Sequence, residues 1–274
     1  MIVFPPCKIN LGLNILRKRA DGYHDLETVF YPVPFTDILE AVEVNGVQEK
    51  VSLQSFGLPV SGETKNNLVL KAYHLLDKQF DLPPTAFCLY KNIPMGAGLG
   101  GGSADGAYAI RLLNDLYQLK ISQETQLHFA SQLGSDCAFF IHNGAGKGTG
   151  RGEILEPISL SLKGYYLCLA KPNLHISTAE AFAGIVPKEK SEQELAAYLV
   201  QQPIELWQRN LSNDFEASLF PSYPILAEIK ETFLQAGAEY AAMSGSGSTV
   251  FALFKNAPKL SKKFAAHFYQ EIPL

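Results

Sequence analysis

Between Pro94 and Ser103 the chain reads Pro-Met-Gly-Ala-Gly-Leu-Gly-Gly-Gly-Ser, five glycines in ten residues. Residues without a Cβ let a backbone approach an oxyanion closely and turn successive N–H groups toward it. A strand-like run, Ala86 to Tyr90, precedes this segment, and a helix-like run, Ser103 to Leu116, follows it. The first N–H groups of that helix and the positive end of its dipole face the same point. The chemistry that suits such a segment is the binding of phosphate.

Several known loops compete for the segment. Gly96-Ala97-Gly98-Leu99-Gly100-Gly101 satisfies the dinucleotide pattern G-x-G-x-x-G, which also requires, after one helix, a second strand ending in Asp or Glu. Here Leu119-Lys120-Ile121-Ser122-Gln123-Glu124 leads into another helical stretch instead. A Walker A loop needs Gly-Lys followed by a hydroxyl residue; the nearest segment, Gly146-Lys147-Gly148, lacks it. Gly101-Gly102-Ser103-Ala104-Asp105 fails the nucleophile pattern G-x-S-x-G at its last position. A plain tight connector would have no reason to incur the unfolded-state entropy of so many glycines.

Two charged positions stand out elsewhere. Ile9, Leu11, Leu13 and Ile15 alternate with Lys8, Asn10, Gly12 and Asn14, which predicts a strand with Lys8 and Asn10 on one face and the aliphatics toward the core. Asp136 lies between Gly134-Ser135 and the apolar run Cys137 to Ile141, read as a strand. One side of its carboxylate is then dry, as suits a general base, although turn capping is the commoner use of such a residue.

Bulk properties set limits. A chain of 274 residues, 47% apolar and 18% charged, has ample core for one large domain or two modest ones. A net charge of −4 gives no support for nucleic acid or an anionic membrane as partner, so an anionic substrate must be held by local groups. Cysteines 7, 88, 137 and 168 are far apart with no C-x-x-C, which argues against structural zinc and a disulfide framework and for reduced thiols. No residue is assigned as a resident metal ligand. The opening Met-Ile-Val-Phe-Pro-Pro has no basic region before an apolar stretch, and nowhere do about 18 apolar residues run together, so a cytoplasmic protein is expected. Oligomeric state is not legible.

The elements that must position these residues follow from pattern. Strands are expected at Ile38–Val44 and Val51–Gln54, joined as a hairpin. Asn66-Asn67 caps a helix from Leu68 to Phe80 that stops before Pro83-Pro84. Helices are expected over 103–116 and 124–133, and helical patterns dominate 191–237. The five glycines at alternate positions from Gly144 to Gly152 predict a flexible hinge. Strands are expected at Tyr165–Ala170, 239–243 and 249–254, the last two flanking a serine-glycine loop. Strands and helices that do not strictly alternate predict an α+β protein.

Three segments carry a resemblance. Pro-x-x-x-Gly-Leu-Gly-Gly-Gly-Ser before a helix resembles the ATP loop of the GHMP kinases. Pro6-Cys7-Lys8-Ile9-Asn10-Leu11-Gly12-Leu13 and Ala242-Met243-Ser244-Gly245-Ser246-Gly247-Ser248-Thr249 stand where that family has its other motifs. Arg19-Ala20-Asp21-Gly22-Tyr23-His24-Asp25-Leu26 and Gly134-Ser135-Asp136 narrow the likeness to the branch that phosphorylates the 2-hydroxyl of a cytidine-diphosphate-linked methylerythritol, in the isoprenoid precursor route not based on mevalonate. A GHMP-type kinase acting on another small alcohol is the alternative. The resemblance, which runs from about Pro6 to Phe254, implies a two-lobed fold with the active site in the cleft between an N-terminal ATP-binding lobe (1–152) and a C-terminal lobe (153–274), with ATP and Mg²⁺ as cofactors.

It also implies roles. Pro94, Met95, Gly96, Ala97, Gly98, Leu99, Gly100, Gly101, Gly102, Ser103 and Ala104 surround the phosphates of ATP; Asn67, Leu68 and Lys91 lie around its nucleoside end. Asp136 takes the proton of the substrate hydroxyl, and Lys8 pairs with it. Asn10, Tyr23, His24, Phe30, Thr178 and Phe182 bind the substrate, Tyr23 and His24 by stacking on and hydrogen bonding to a cytosine ring. The family commonly has Ser-Ser-Asn where this chain has Ser103-Ala104-Asp105, and Asp105 adds a negative charge that must face away from the phosphates or assist Mg²⁺.

Overall fold

A computed structural model describes residues 1–46, 48–142, 144–187 and 195–274; residues 191–194, where the helical stretch over 191–237 was expected to begin, lie outside the described residues. The architecture is α+β, as expected. Its strands are β1 (Ile2–Val3), β2 (Pro6–Lys18), β3 (His24–Thr36), β4 (Ile38–Glu43), β5 (Val51–Gly57), β6 (Thr85–Lys91), β7 (Gly146–Thr149), β8 (Ile154–Pro157), β9 (Tyr166–Lys171), β10 (Tyr240–Met243), β11 (Val250–Phe254) and β12 (Phe268–Pro273). Its helices are α1 (Leu68–Phe80), α2 (Gly101–Leu116), α3 (Gln123–Leu133), α4 (Cys137–His142), α5 (Thr178–Ala183), α6 (Leu195–Gln201), α7 (Trp207–Asn210), α8 (Asp214–Leu219) and α9 (Pro224–Gln235). The chain divides into two compact units, neither contiguous: residues 1–7, 35–95 and 100–144, and residues 8–34, 96–99 and 145–274.

The first unit is built on a sheet of order β1-β4-β6-β5. The expected β4–β5 hairpin does not form. Strand β6 lies between them, antiparallel to β4 and parallel to β5. The reason is burial: Thr85, Phe87, Leu89 and Lys91 of β6 are all buried, whereas β5 is largely exposed, so the more apolar strand takes the interior place. Helix α1 buries Val69, Ala72, Tyr73 and Leu76, an i, i+3, i+4, i+7 stripe, and the Asn67 side chain accepts from the Val69 amide at 2.9 Å as its cap.

Helix α2 is buried on nearly every side. It starts at Gly101 rather than Ser103, because Gly100 in the left-handed region (φ 71°) serves as N-cap and its carbonyl receives the Ala104 amide at 2.9 Å. Cys137 to Ile141, expected as a strand, is the body of α4. Five consecutive buried apolar residues carry no period that separates a short buried helix from a strand.

The second unit holds two sheets. One has the order β10-β11-β9-β12, antiparallel throughout, over a core that includes Leu13, Ile15, Phe215, Leu226, Ile229, Phe233 and Met243. Strand β12 had no expectation behind it. The other sheet has the order β2-β3-β7-β8. The alternation read in β2 holds, yet Lys8, Asn10 and Asn14 on its polar face are as buried as the aliphatics opposite. The stretch expected as a hinge is instead the hairpin of β7 and β8, with β7 paired to β3 as well. Glycine is used there for packing: a Cβ on Gly148 would strike the Phe30 ring.

Gly106, in the middle of α2, faces α1, where a Cβ would come within 2.8 Å of Leu68 Cβ. Alanine is the better helix former by about 1 kcal/mol, but the clash meets a β-carbon that cannot rotate away. Gly106→Ala is therefore expected to lower unfolding free energy, by about 1–3 kcal/mol in denaturant titration.

Candidate active site

Three neighbouring carbonyls of the glycine segment are held from one side. Ala97 O accepts from the Thr249 amide at 3.2 Å, and Leu99 O from the Lys8 amide at 2.9 Å. Gly98 O accepts from Ser244 Oγ at 2.9 Å and from Lys8 Nζ at 3.0 Å. In a trans peptide the N–H of the next residue points opposite to the carbonyl, so the amides of Gly98, Leu99 and Gly100 are turned away from these donors. The glycines make this possible. Gly96, Gly98 and Gly100 all have positive φ (59°, 76° and 71°), alternating with Ala97 and Leu99, and such alternation is what gathers successive N–H groups into an anion-binding concavity. Gly98 also lies so close to the Ser244 carbonyl that no Cβ fits. Among the described residues, no amide from Met95 to Ser103 donates to a protein acceptor; the first to do so is that of Ala104.

Lys8 is 3% exposed, and its ammonium also donates to Asn10 Oδ1 at 2.6 Å and lies 5.2 Å above the Phe30 ring centroid. Asn10 Nδ2 in turn donates to Thr28 Oγ1 at 3.0 Å, and Thr28 Oγ1 to the Gly12 carbonyl at 2.6 Å. The structure thus brings Lys8, Asn10, Phe30, Gly98 and Leu99 together. Phe30, which the resemblance counts among the substrate-binding residues, is buried in this arrangement.

A second group forms in the same unit. The His24 ring stacks on Phe182 of α5, with centroids 4.9 Å apart and planes 14° from parallel, and Phe182 meets Phe215 edge-on. Burial, and secondarily Lys18, lowers the His24 pKa, favouring a neutral imidazole with one donor and one acceptor. Tyr23 is 56% exposed, with the Arg151 guanidinium 4.9 Å over its ring. Thr178 is the exposed first residue of α5, whose cap is Ser177.

In the first unit, Asp136 immediately precedes α4, and the following Cys137 thiol is pushed by burial up to about 12, an effect the neighbouring Ser103 hydroxyl opposes. Ser103 is the third residue of α2, not its cap. Met95 packs against Gly102, while Ala104 is buried. Asn67 and Leu68 open α1. Lys91, which the resemblance set beside the nucleoside, has a fully buried ammonium held between Asp37 and Asp105. Asp105 accordingly faces away from solvent.

Sequence reasoning missed what fixes the serine-glycine loop. Asn213 Nδ2 donates to the carbonyls of Met243 at 2.7 Å and Gly245 at 2.8 Å while its Oδ1 caps α8. Glu216 receives the Met243 amide at 2.7 Å and Lys230 Nζ at 2.6 Å. The signal was present as Asn213-Asp214-Phe215-Glu216, a capping-box spacing before an apolar residue.

Comparison with known proteins defines the family. Residues 67–144 match the GHMP kinases N terminal domain and residues 195–270 the GHMP kinases C terminal domain. The chain is similar to the 4-diphosphocytidyl-2-C-methyl-D-erythritol kinase of Bacteroides fragilis, 50% identical over 264 residues that cover 96% of this chain and 95% of that one. To the enzyme of the same name from Bacteroides thetaiotaomicron it is 50% identical over 255 residues, 93% and 92% of the two chains. A crystal structure of 4-(cytidine 5'-diphospho)-2C-methyl-D-erythritol kinase superposes with a TM-score of 0.83 at 27% identity, covering 99% of this chain and 98% of that one. The fold and the two matched domains are those of a small-molecule kinase of the GHMP class. Within that class the chain belongs to the 4-diphosphocytidyl-2-C-methyl-D-erythritol kinase family.

Loss of the Asn213 amide strands two buried carbonyls and a helix cap. Asn213→Ala is expected to cost roughly 2–4 kcal/mol of stability by thermal or denaturant unfolding.

Proposed function

We propose that this chain transfers the γ-phosphoryl group of ATP to the 2-hydroxyl of 4-diphosphocytidyl-2-C-methyl-D-erythritol, giving the 2-phosphate and ADP. The observation that carries the reading is the run of amides from Met95 to Ser103 that, among the described residues, donate to no protein acceptor, in a chain of this family. Phosphoryl transfer asks a protein for in-line positioning, charge neutralisation and a place for the acceptor's proton. The amides of Gly96 to Ser103 bind the β- and γ-phosphates, and Asn67 and Leu68 flank the nucleoside. Magnesium would accompany the nucleotide as part of that substrate. There it would neutralise phosphate charge, and the Ser103 hydroxyl would offer it an oxygen ligand.

Asp136 removes the proton of the attacking hydroxyl. Lys8, an ammonium held rigidly on a buried strand, neutralises charge on the attacking oxygen and the transferred group. His24, Tyr23 and Phe182 receive the cytosine: the neutral imidazole offers its edge, and the aromatic faces stack. Thr178 and Asn10 bound the rest of the substrate. Among the described residues no helix is long and apolar enough to cross a membrane, and we assign the activity to the cytoplasm.

Asp136→Asn is expected to lower kcat by about 10²–10⁴, with KM for ATP little changed, in a coupled ADP assay. Retention of most of the turnover would remove Asp136 from the role of base. Tyr23→Ala and His24→Ala are each expected to raise KM for the cytidyl alcohol about tenfold or more and leave KM for ATP within twofold. Unchanged KM values for the alcohol would point to a kinase of the same class with a different acceptor.

A further inference from the structure

Three ionisable groups that the phosphoryl-transfer chemistry does not use are buried against one another at the two ends of the glycine segment. Lys91 is the last residue of β6, and its ammonium reaches Asp37 and, at 2.7 Å, Asp105 Oδ2 in the second turn of α2. Asp37, at the junction of β3 and β4, accepts the Asn92 amide at 2.7 Å and the Ile93 amide at 2.9 Å on its other oxygen. All three side chains are essentially sealed from water. The chain therefore leaves β6 pinned at three successive residues and re-enters α2 pinned to the same ammonium. The cluster sits close beneath the start of the helix: a Cβ on Gly101 would lie 3.4 Å from Lys91 Nζ.

Burying such a group of charges stabilises a fold poorly compared with apolar contacts of the same volume, which makes stability alone a weak reason for it. What it does supply is a fixed distance between the entry and exit of the loop. We propose that the Lys91–Asp37–Asp105 cluster positions the glycine loop for the triphosphate, and that its charge state sets how tightly the nucleotide is held. This rests on reading residues 94–103 as the triphosphate loop.

The cluster's charge is not fixed. One ammonium faces two carboxylates, and Asp105 Oδ1 is buried with no hydrogen-bonding partner among the described residues. Burial above all, with the neighbouring Asp37, raises the Asp105 carboxyl to about 8 against the opposing pull of Lys91. Those two, from β6 and the β3–β4 junction, are the charged groups acting on it. The helices packed on α2 bury apolar side chains such as Val69 and Phe140. Asp105 therefore holds its proton well above the usual carboxylate range. Once it ionises on the alkaline side, the cluster gains a negative charge beside amides that face phosphate, and binding of the anionic nucleotide weakens. Folding follows the same sign. The folded carboxyl holds its proton more tightly than the unfolded chain, so this contribution to stability is complete below about pH 4 and declines as pH rises toward 8.

The test is steady-state KM for MgATP and for the cytidyl alcohol from about pH 6.5 to 9.5 in the wild type, Asp105→Asn and Asp105→Ala, with Gly98→Ala as a loop control. The wild-type KM for MgATP is expected to rise about three- to tenfold across the alkaline limb while KM for the alcohol does not follow. Asp105→Asn, which keeps an acceptor for Lys91 but has no proton to lose, is expected to flatten that limb. Asp105→Ala removes the tie and is expected to raise KM for MgATP about fivefold or more at every pH, with Asp105→Asn restoring it near neutrality. A wild-type alkaline limb retained unchanged in Asp105→Asn overturns the proposal, even if Asp105→Ala does not fold. If Gly98→Ala leaves nucleotide affinity unchanged, the loop reading itself fails. If Gly98→Ala weakens nucleotide binding while both Asp105 variants behave as wild type, only the role of the cluster fails.

Discussion

A peptide plane has two ends, and fixing its carbonyl aims its N–H. In this chain the carbonyls of Ala97, Gly98 and Leu99 are tied down by donors from β2 and from the Ser244–Thr249 loop. The direction of the neighbouring amides is then no longer a property of a loose glycine run. It is set by a buried strand and by a turn that Asn213 and Glu216 hold in place. Glycine is what allows the arrangement, but the donors are what enforce it. A phosphate bound here would meet groups already oriented, so little reorganisation accompanies binding or transfer.

Lys8 joins two functions. Its main-chain amide and its ammonium both hold the glycine segment, and the same ammonium is the cation we assign to the developing charge. Placing it on a strand whose two faces are both covered limits its freedom far more than a surface lysine's. Asn10 and Thr28 complete a short hydrogen-bonded chain beneath it, so a change at any of these positions alters how the ammonium is held.

Much of the fold was legible in the sequence because the signals were local. Alternation marked β2, Asn67 marked the start of α1, and the density of glycine marked the segment of alternating positive φ that leads into α2. What was not legible depends on partners distant in sequence. Nothing near Lys91 says that Asp37 and Asp105 will enclose it, so a lysine at the end of a strand reads as available to a ligand. Burial on both faces of β2 turns a polar stripe that looks solvated into an interior network. The order β1-β4-β6-β5 likewise depends on which strand buries more, a comparison between segments rather than within one. Short apolar runs such as Cys137–Ile141 stay ambiguous between helix and strand for the same reason.

The central claim is that these particular amides grip the phosphates of the nucleotide. Backbone amide resonances followed by NMR during titration with a non-hydrolysable ATP analogue and magnesium test it most directly. The account predicts that the largest shifts fall on residues 96 to 103, with hydrogen-bond couplings from those amides to phosphorus. Saturable binding that leaves those resonances unmoved while others shift would contradict it.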